Sequence, residues 1–106
     1  MKLSLDYSTA KYAINAYDDG VITVNNQTYT NGIIVTPNRL LDAWEPTHVE
    51  QLETSHIEYL ISLEPEIILL GTGKSLCFPH PSLSILALQL GIGFEVMDTG
   101  SACRTY

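Results

Sequence analysis

The run Glu66-Ile67-Ile68-Leu69-Leu70, closed by Gly71-Thr72-Gly73, constrains the fold of this chain more than any other feature. A short unbroken apolar stretch that ends in glycines is the pattern of a central strand covered on both faces. Beyond Pro79-His80-Pro81, residues Leu83, Leu86, Ala87 and Leu90 recur at helical spacing, and Gly91 supplies a carboxyl-terminal stop. Phe94-Glu95-Val96-Met97 reads as the next strand. Strand, glycine turn, helix and strand in that order predict a right-handed crossover with the two strands parallel.

The amino-terminal half carries a different rhythm. Tyr12-Ala13-Ile14-Asn15-Ala16-Tyr17 alternates, Asp18-Asp19-Gly20 interrupts it, and Val21-Ile22-Thr23-Val24 resumes with β-branched residues. Asn25-Asn26 then separates Val24 from Gln27-Thr28-Tyr29, and paired asparagines tolerate the positive φ of a two-residue hairpin turn. Gly32-Ile33-Ile34-Val35-Thr36 predicts a further strand that Pro37 ends. From Pro37 to Glu53 the pattern is irregular and predicts a loop, with a short strand around Val49 and Leu52. A helix follows, capped by Thr54 or Ser55 with Glu58 as the partner of Ser55 in a capping box, its apolar face Ile57, Leu60 and Ile61, its end at Pro65.

The expected fold is α/β: a single compact layered domain over residues 1–106, with a mixed β-sheet, amino-terminal hairpins, one βαβ crossover and helices packed on the sheet. The composition agrees with that. With 45% hydrophobic and only 16% charged residues, the 106-residue chain is a packed globule and not a disordered acidic segment, despite a formal charge of -7. Five lysines and arginines against twelve acids cannot neutralise a row of phosphates, so nucleic acid and anionic membrane surfaces are excluded as partners. No stretch approaches the roughly 18 apolar residues of a membrane span. No basic segment with an apolar signal core opens the chain, so a cytoplasmic location is expected. Cys77 and Cys103 carry no disulfide-scaffold pattern and are expected to be reduced. His48, His56 and His80 are scattered and show no pairing with the cysteines at zinc spacing, so no structural metal is expected, and no cofactor is expected either.

Two motifs invite a chemical reading. Gly73-Lys74-Ser75 ends like a nucleotide-triphosphate loop, but the glycine required five residues earlier is Ile68, and Cys77-Phe78-Pro79 stands where the helix should begin. Gly71-Thr72-Gly73 supplies two glycines of a dinucleotide fingerprint, and the third falls at Leu76. Both glycines read first as a tight turn. The ends of the two parallel strands, at Gly71 and Asp98, should nevertheless approach one another and bound a crevice of the kind that binds ligands in open α/β sheets. Asp98 or Thr99 would cap a helix starting near Ser101. Cys103 in its first turn, beside Arg104, is either a small buried residue or a thiol activated by the helix dipole. Gly71, Thr72, Gly73, Asp98, Thr99, Cys103 and Arg104 are therefore the candidate ligand residues, with no catalytic set among them. Trp44, in the irregular segment, is the candidate partner contact.

Gly32-Ile33-Ile34-Val35, Trp44, Leu69-Leu70-Gly71-Thr72-Gly73 and Gly91-Ile92-Gly93-Phe94-Glu95-Val96-Met97-Asp98-Thr99, with Ala102-Cys103-Arg104-Thr105-Tyr106, together resemble a small α/β family. That family includes a mitochondrial complex I assembly factor and an adipogenesis-associated protein, and its bacterial members are mostly of unknown function. The terminal stretch is the specific part of the resemblance, which spans nearly the whole chain. It implies a layered domain with a mixed sheet and a non-enzymatic binding or assembly-accessory role, with subunits of a respiratory or other membrane-associated complex as partners. The resemblance further implies a continuation past Tyr106 into an amphipathic helix. A chain ending at Tyr106 would lack most of that helix and expose the sheet face it covers, which predicts self-association into a homo-oligomer or reduced stability. The alternative, from another class, is a small-molecule-binding protein or enzyme that uses the crevice at the strand ends.

Overall fold

The computed structural model describes residues 12–18, 20–30 and 32–106; Asp19, in the first expected strand break, lies outside the described residues. Strands β1 (Ile14–Asp18), β2 (Val21–Val24) and β3 (Gln27–Tyr29) form an antiparallel meander. Asn25 and Asn26 make the turn between β2 and β3 with φ of 50° and 69°, the left-handed geometry that lets a two-residue turn follow the twist of its strands. The Asn25 backbone N–H donates to the Ala13 carbonyl at 3.1 Å and that of Asn26 to the Asn15 side chain at 3.0 Å, tying the turn back to β1.

Strand β4 (Gly32–Val35) pairs antiparallel with β5 (Leu40–Trp44), which corrects the reading of residues 37–53 as loop. The reversal is built on Thr36: its Oγ1 accepts from the Asn38 and Arg39 amides at 3.3 and 2.9 Å, and its own amide donates to the Arg39 carbonyl at 2.9 Å. A local side-chain bond of this kind shapes a turn that periodicity does not show. The expected strand at Val49 and Leu52 is instead a 3-10 turn, Val49–Gln51, where Gln51 Oε1 accepts from the Thr47 amide at 2.7 Å.

Helix α1 (Thr54–Ser62) buries Ile57 and Leu60 and packs Ile61 against the core, the face the spacing predicts. Its start differs from expectation. Glu53 is the N-cap, and its amide donates to His56 Nδ1 at 2.9 Å, so His56 fills the role assigned to Glu58. The helix ends at Ser62 with Leu63 as its C-cap, and Glu64, whose φ of 58° is left-handed, turns the chain just before Pro65. Strand β6 (Ile67–Gly71) and strand β7 (Gly93–Met97) are parallel, with Ile67 opposite Gly93 and Gly71 opposite Met97. Helix α2 (Pro81–Leu88) connects them, capped by His80, whose Nδ1 accepts from the Ser82 amide at 3.1 Å. That gives His80 a capping role beyond that of a plain loop residue. Leu83 and Ala87 are buried while Leu90 lies outside the helix and exposed, so the apolar face is narrower than the spacing suggests. Helix α3 (Thr99–Thr105) packs on β1, β6 and β7.

The strand pairings are thus mixed, antiparallel in the first five strands and parallel in the last two, distributed over three sheets with three helices against them. Ile57, Leu60, Ile68, Leu83 and Ala87 form one core, and Ile34, Trp44 and Phe94 pack against it from the strands. Among the described residues no helix is long and apolar enough to cross a membrane.

Candidate functional site

The carboxyl end of β6 and the start of α3 are joined directly. Thr72 donates its amide to the Met97 carbonyl at 2.9 Å, and Gly73 donates its amide to Thr99 Oγ1 at 2.8 Å while its carbonyl accepts from the Thr99 amide at 2.9 Å. A Cβ on Gly71 would stand 3.0 Å from Thr99 Oγ1 and 3.1 Å from its Cα, so the missing side chain is what lets the helix approach. Gly73, with φ of 97°, turns the chain away, and Thr72 Oγ1 closes the next loop by donating to the Ser75 carbonyl at 2.7 Å and accepting from the Cys77 amide at 3.2 Å. Gly71, Thr72, Gly73 and Thr99 are therefore gathered in one place, and the amides of Thr72 and Gly73 are spent on intrachain bonds.

Asp98 caps α3. Its Oδ1 accepts from the Ser101 amide at 2.8 Å and its Oδ2 from the Ser101 hydroxyl at 2.9 Å, and Arg104 donates to Ser101 Oγ at 3.1 Å. Those Ser101 bonds, with the Arg104 guanidinium adding a smaller effect against desolvation, hold the Asp98 carboxyl below the usual carboxylate range. Cys103 and Arg104 line a pocket of about 420 Å³ on the other side of α3, with Gly100 and residues Ile14–Tyr17 of β1. Burial pushes the Cys103 thiol up, and the Arg104 guanidinium opposes that to a smaller extent. Among the described residues no three His, Cys, Asp or Glu side chains are placed to hold a metal.

A second cleft, of about 370 Å³, opens between β5 and α1. Its apolar wall is Ile34, Leu40, Leu41, Trp44 and Tyr59, and its polar groups are Asp42, Glu45, Ser55 and His56. The indole owes its position to Gly32, which faces Trp44 across the ladder: a Cβ there would meet the Trp44 carbonyl at 2.6 Å and ring Cδ1 at 2.9 Å. On its other side the His56 ring stands edge-on, centroids 5.5 Å apart at 65°. His56 Nδ1 accepts from Glu53, so its hydrogen lies on Nε2 in this arrangement. Tyr59 is 45% exposed. Sequence reasoning singles out Trp44 alone here. The signals for the rest are the alternation Leu40, Asp42, Trp44 and the spacing Ser55, Tyr59 on the helix face opposite Ile57 and Leu60, and both need β5 to be recognised first.

The fold is found in known proteins. A protein of Xanthomonas campestris, solved by NMR, is 34% identical and superposes with a TM-score of 0.83 over 100% of this chain and 80% of its own. A Bordetella pertussis protein, also solved by NMR and described as a Mth938-like domain, is 28% identical with a TM-score of 0.77, covering 100% of this chain and 82% of its own. The 13 kDa major membrane protein of Francisella tularensis is 24% identical over 107 residues, 100% of this chain and 87% of that protein. With residues 14–106 matched by the family model, the chain belongs to the family described as protein of unknown function (DUF498/DUF598).

Proposed function

We propose that this chain is a non-enzymatic binding protein that serves the assembly of a respiratory or other membrane-associated complex from the cytoplasmic side, and that it holds its partner at the Trp44 cleft. The observation that carries the reading is the cleft itself: a tryptophan seated by Gly32 and His56, a half-exposed tyrosine beside it, and carboxylates around them. Aromatic side chains set in a partly apolar depression with a polar border have the make-up of a protein interface. The sequence resemblance to a complex I assembly factor and the name of the Francisella relative support a partner at or near a membrane.

The test is cross-linked capture of the tagged full chain from its native cells, beside Tyr59→Ala and Trp44→Ala. Tyr59→Ala removes a half-exposed ring outside the core cluster, while Trp44→Ala also touches the packing, so the melting temperature of each variant is measured alongside. Recovery of respiratory-complex subunits with the wild type, lost with a folded Tyr59→Ala, is the expected result. Equal recovery with both variants removes the cleft from the reading.

A second reading, a small-molecule site or enzyme, draws support from the 420 Å³ pocket that Gly100, Cys103 and Arg104 line with β1. It predicts that a metabolite mixture shifts the NMR signals of those residues in the wild type and fails to do so in Arg104→Ala.

A further inference from the structure

We propose that the Trp44 cleft receives an arginine or lysine side chain presented by an extended segment of the partner. The proposal rests on the reading of the cleft as the partner surface and adds the chemistry of what enters it. Charge is the first argument. Asp42 and Glu45 stand exposed at the cleft, and among the described residues that line it there is no lysine or arginine. An anion would meet two like charges there, whereas a guanidinium or ammonium meets two counter-charges, and a bidentate guanidinium–carboxylate pair is the stronger of the two. The chain's net charge of -7 adds long-range attraction for a basic segment.

The walls give the second argument. Trp44 and Tyr59 line the cleft with aromatic rings, the kind of group to which a cation is drawn, and the surrounding leucines and isoleucine suit the methylene stem of a long basic side chain. A volume of about 370 Å³ lies at the small end of the roughly 300–1,000 Å³ of ligand sites, which suits one long side chain and a neighbour. The strand beside the cleft gives the third. Among the described residues β5 pairs with β4 alone, and an extended chain pairing with its other edge by backbone hydrogen bonds would bring a side chain to the cleft. That edge favours a peptide segment over a free amine.

The experiment is an NMR titration of the isotope-labelled full chain with three probes: a capped Leu-Arg-Leu-Arg-Leu peptide, its citrulline counterpart of the same shape without charge, and N-acetylargininamide. The arginine peptide is expected to shift the signals of Trp44, Ser55 and Tyr59, the citrulline peptide and the argininamide each to bind about tenfold more weakly, and the Asp42→Asn/Glu45→Gln double variant to erase the preference for arginine. Equal binding of the arginine and citrulline peptides overturns the cation; argininamide binding as tightly as the peptide overturns the partner segment in favour of a small amine; no shift at these residues with any probe overturns the proposal outright. The double variant also separates this inference from the one beneath it. If cellular capture depends on Tyr59 yet the double variant captures the same subunits normally, the cleft remains the partner surface and the cation alone is lost; if capture depends on neither, the surface reading falls with it.

Discussion

Cys77 and Cys103 show how position decides the behaviour of two chemically identical groups. Cys77 lies exposed in the loop after Gly73, between the exposed side chains of Leu76 and Phe78, whereas Cys103 is half-buried with its thiol pushed up by desolvation. Because only the thiolate attacks, a disulfide reagent at neutral pH should label one thiol rapidly and the second slowly. Cys77→Ser should abolish the fast phase; loss of the slow phase instead would place the reactive thiol on α3. Asp98 makes a prediction of the opposite sign. Its folded-state carboxyl titrates below the unfolded value, so its contribution is present above the usual carboxylate range and is lost as pH falls through the lowered value. Asp98→Asn keeps an N-cap acceptor while removing the charge, so its urea midpoint should fall less steeply than the wild type's as pH drops below about 4.

Among the elements, the ends of α1 are the most informative. Glu64 pays the steric cost of a left-handed conformation that glycine adopts freely. Glu64→Gly should therefore stabilise the protein by about 0.5–1 kcal/mol in urea unfolding, and a loss of stability would mean that the glutamate side chain makes up for its backbone. The same scale shows what the sequence discloses. The Asn25-Asn26 hairpin and the β6, α2, β7 succession are legible because local turn chemistry and an uninterrupted apolar run each point to one structure. Strand β5 is not, because Leu40-Leu41-Asp42-Ala43-Trp44 lacks β-branched residues and contains Asp and Ala, which are sparse in strands. What makes it a strand is its setting: the Thr36 turn that reverses the chain, and Gly32 opposite, which leaves room for the indole. The cleft shares that illegibility, since its two sides belong to elements whose approach no local pattern records. The Gly71–Gly73 turn and the Asp98 cap, each contained within a few residues, were readable.

For the molecule as a whole, stability is concentrated at a few positions. The core cluster joins α1, α2 and β6, and Ile57, with 0% of its surface exposed, sits within it. Ile57→Ala should cost roughly 2–5 kcal/mol, a large part of the 5–15 kcal/mol of a typical domain, and Ile57→Val roughly 0.5–1.5 kcal/mol. A urea series at fixed pH measures both, and an alanine variant with an unchanged midpoint would show that the core relaxes around the gap. Strands β4 and β5 reach that core through Ile34 and Trp44, so loss of Trp44 packing should weaken the attachment of the β4–β5 hairpin before it disturbs α2. The chain contains a single tryptophan, and Gly32 and His56 fix it in the wall of the cleft. The protein accordingly carries its own optical reporter: red-edge excitation isolates the emission of one indole, whose colour and intensity register solvent entry, an incoming cation or movement of the imidazole at that one location.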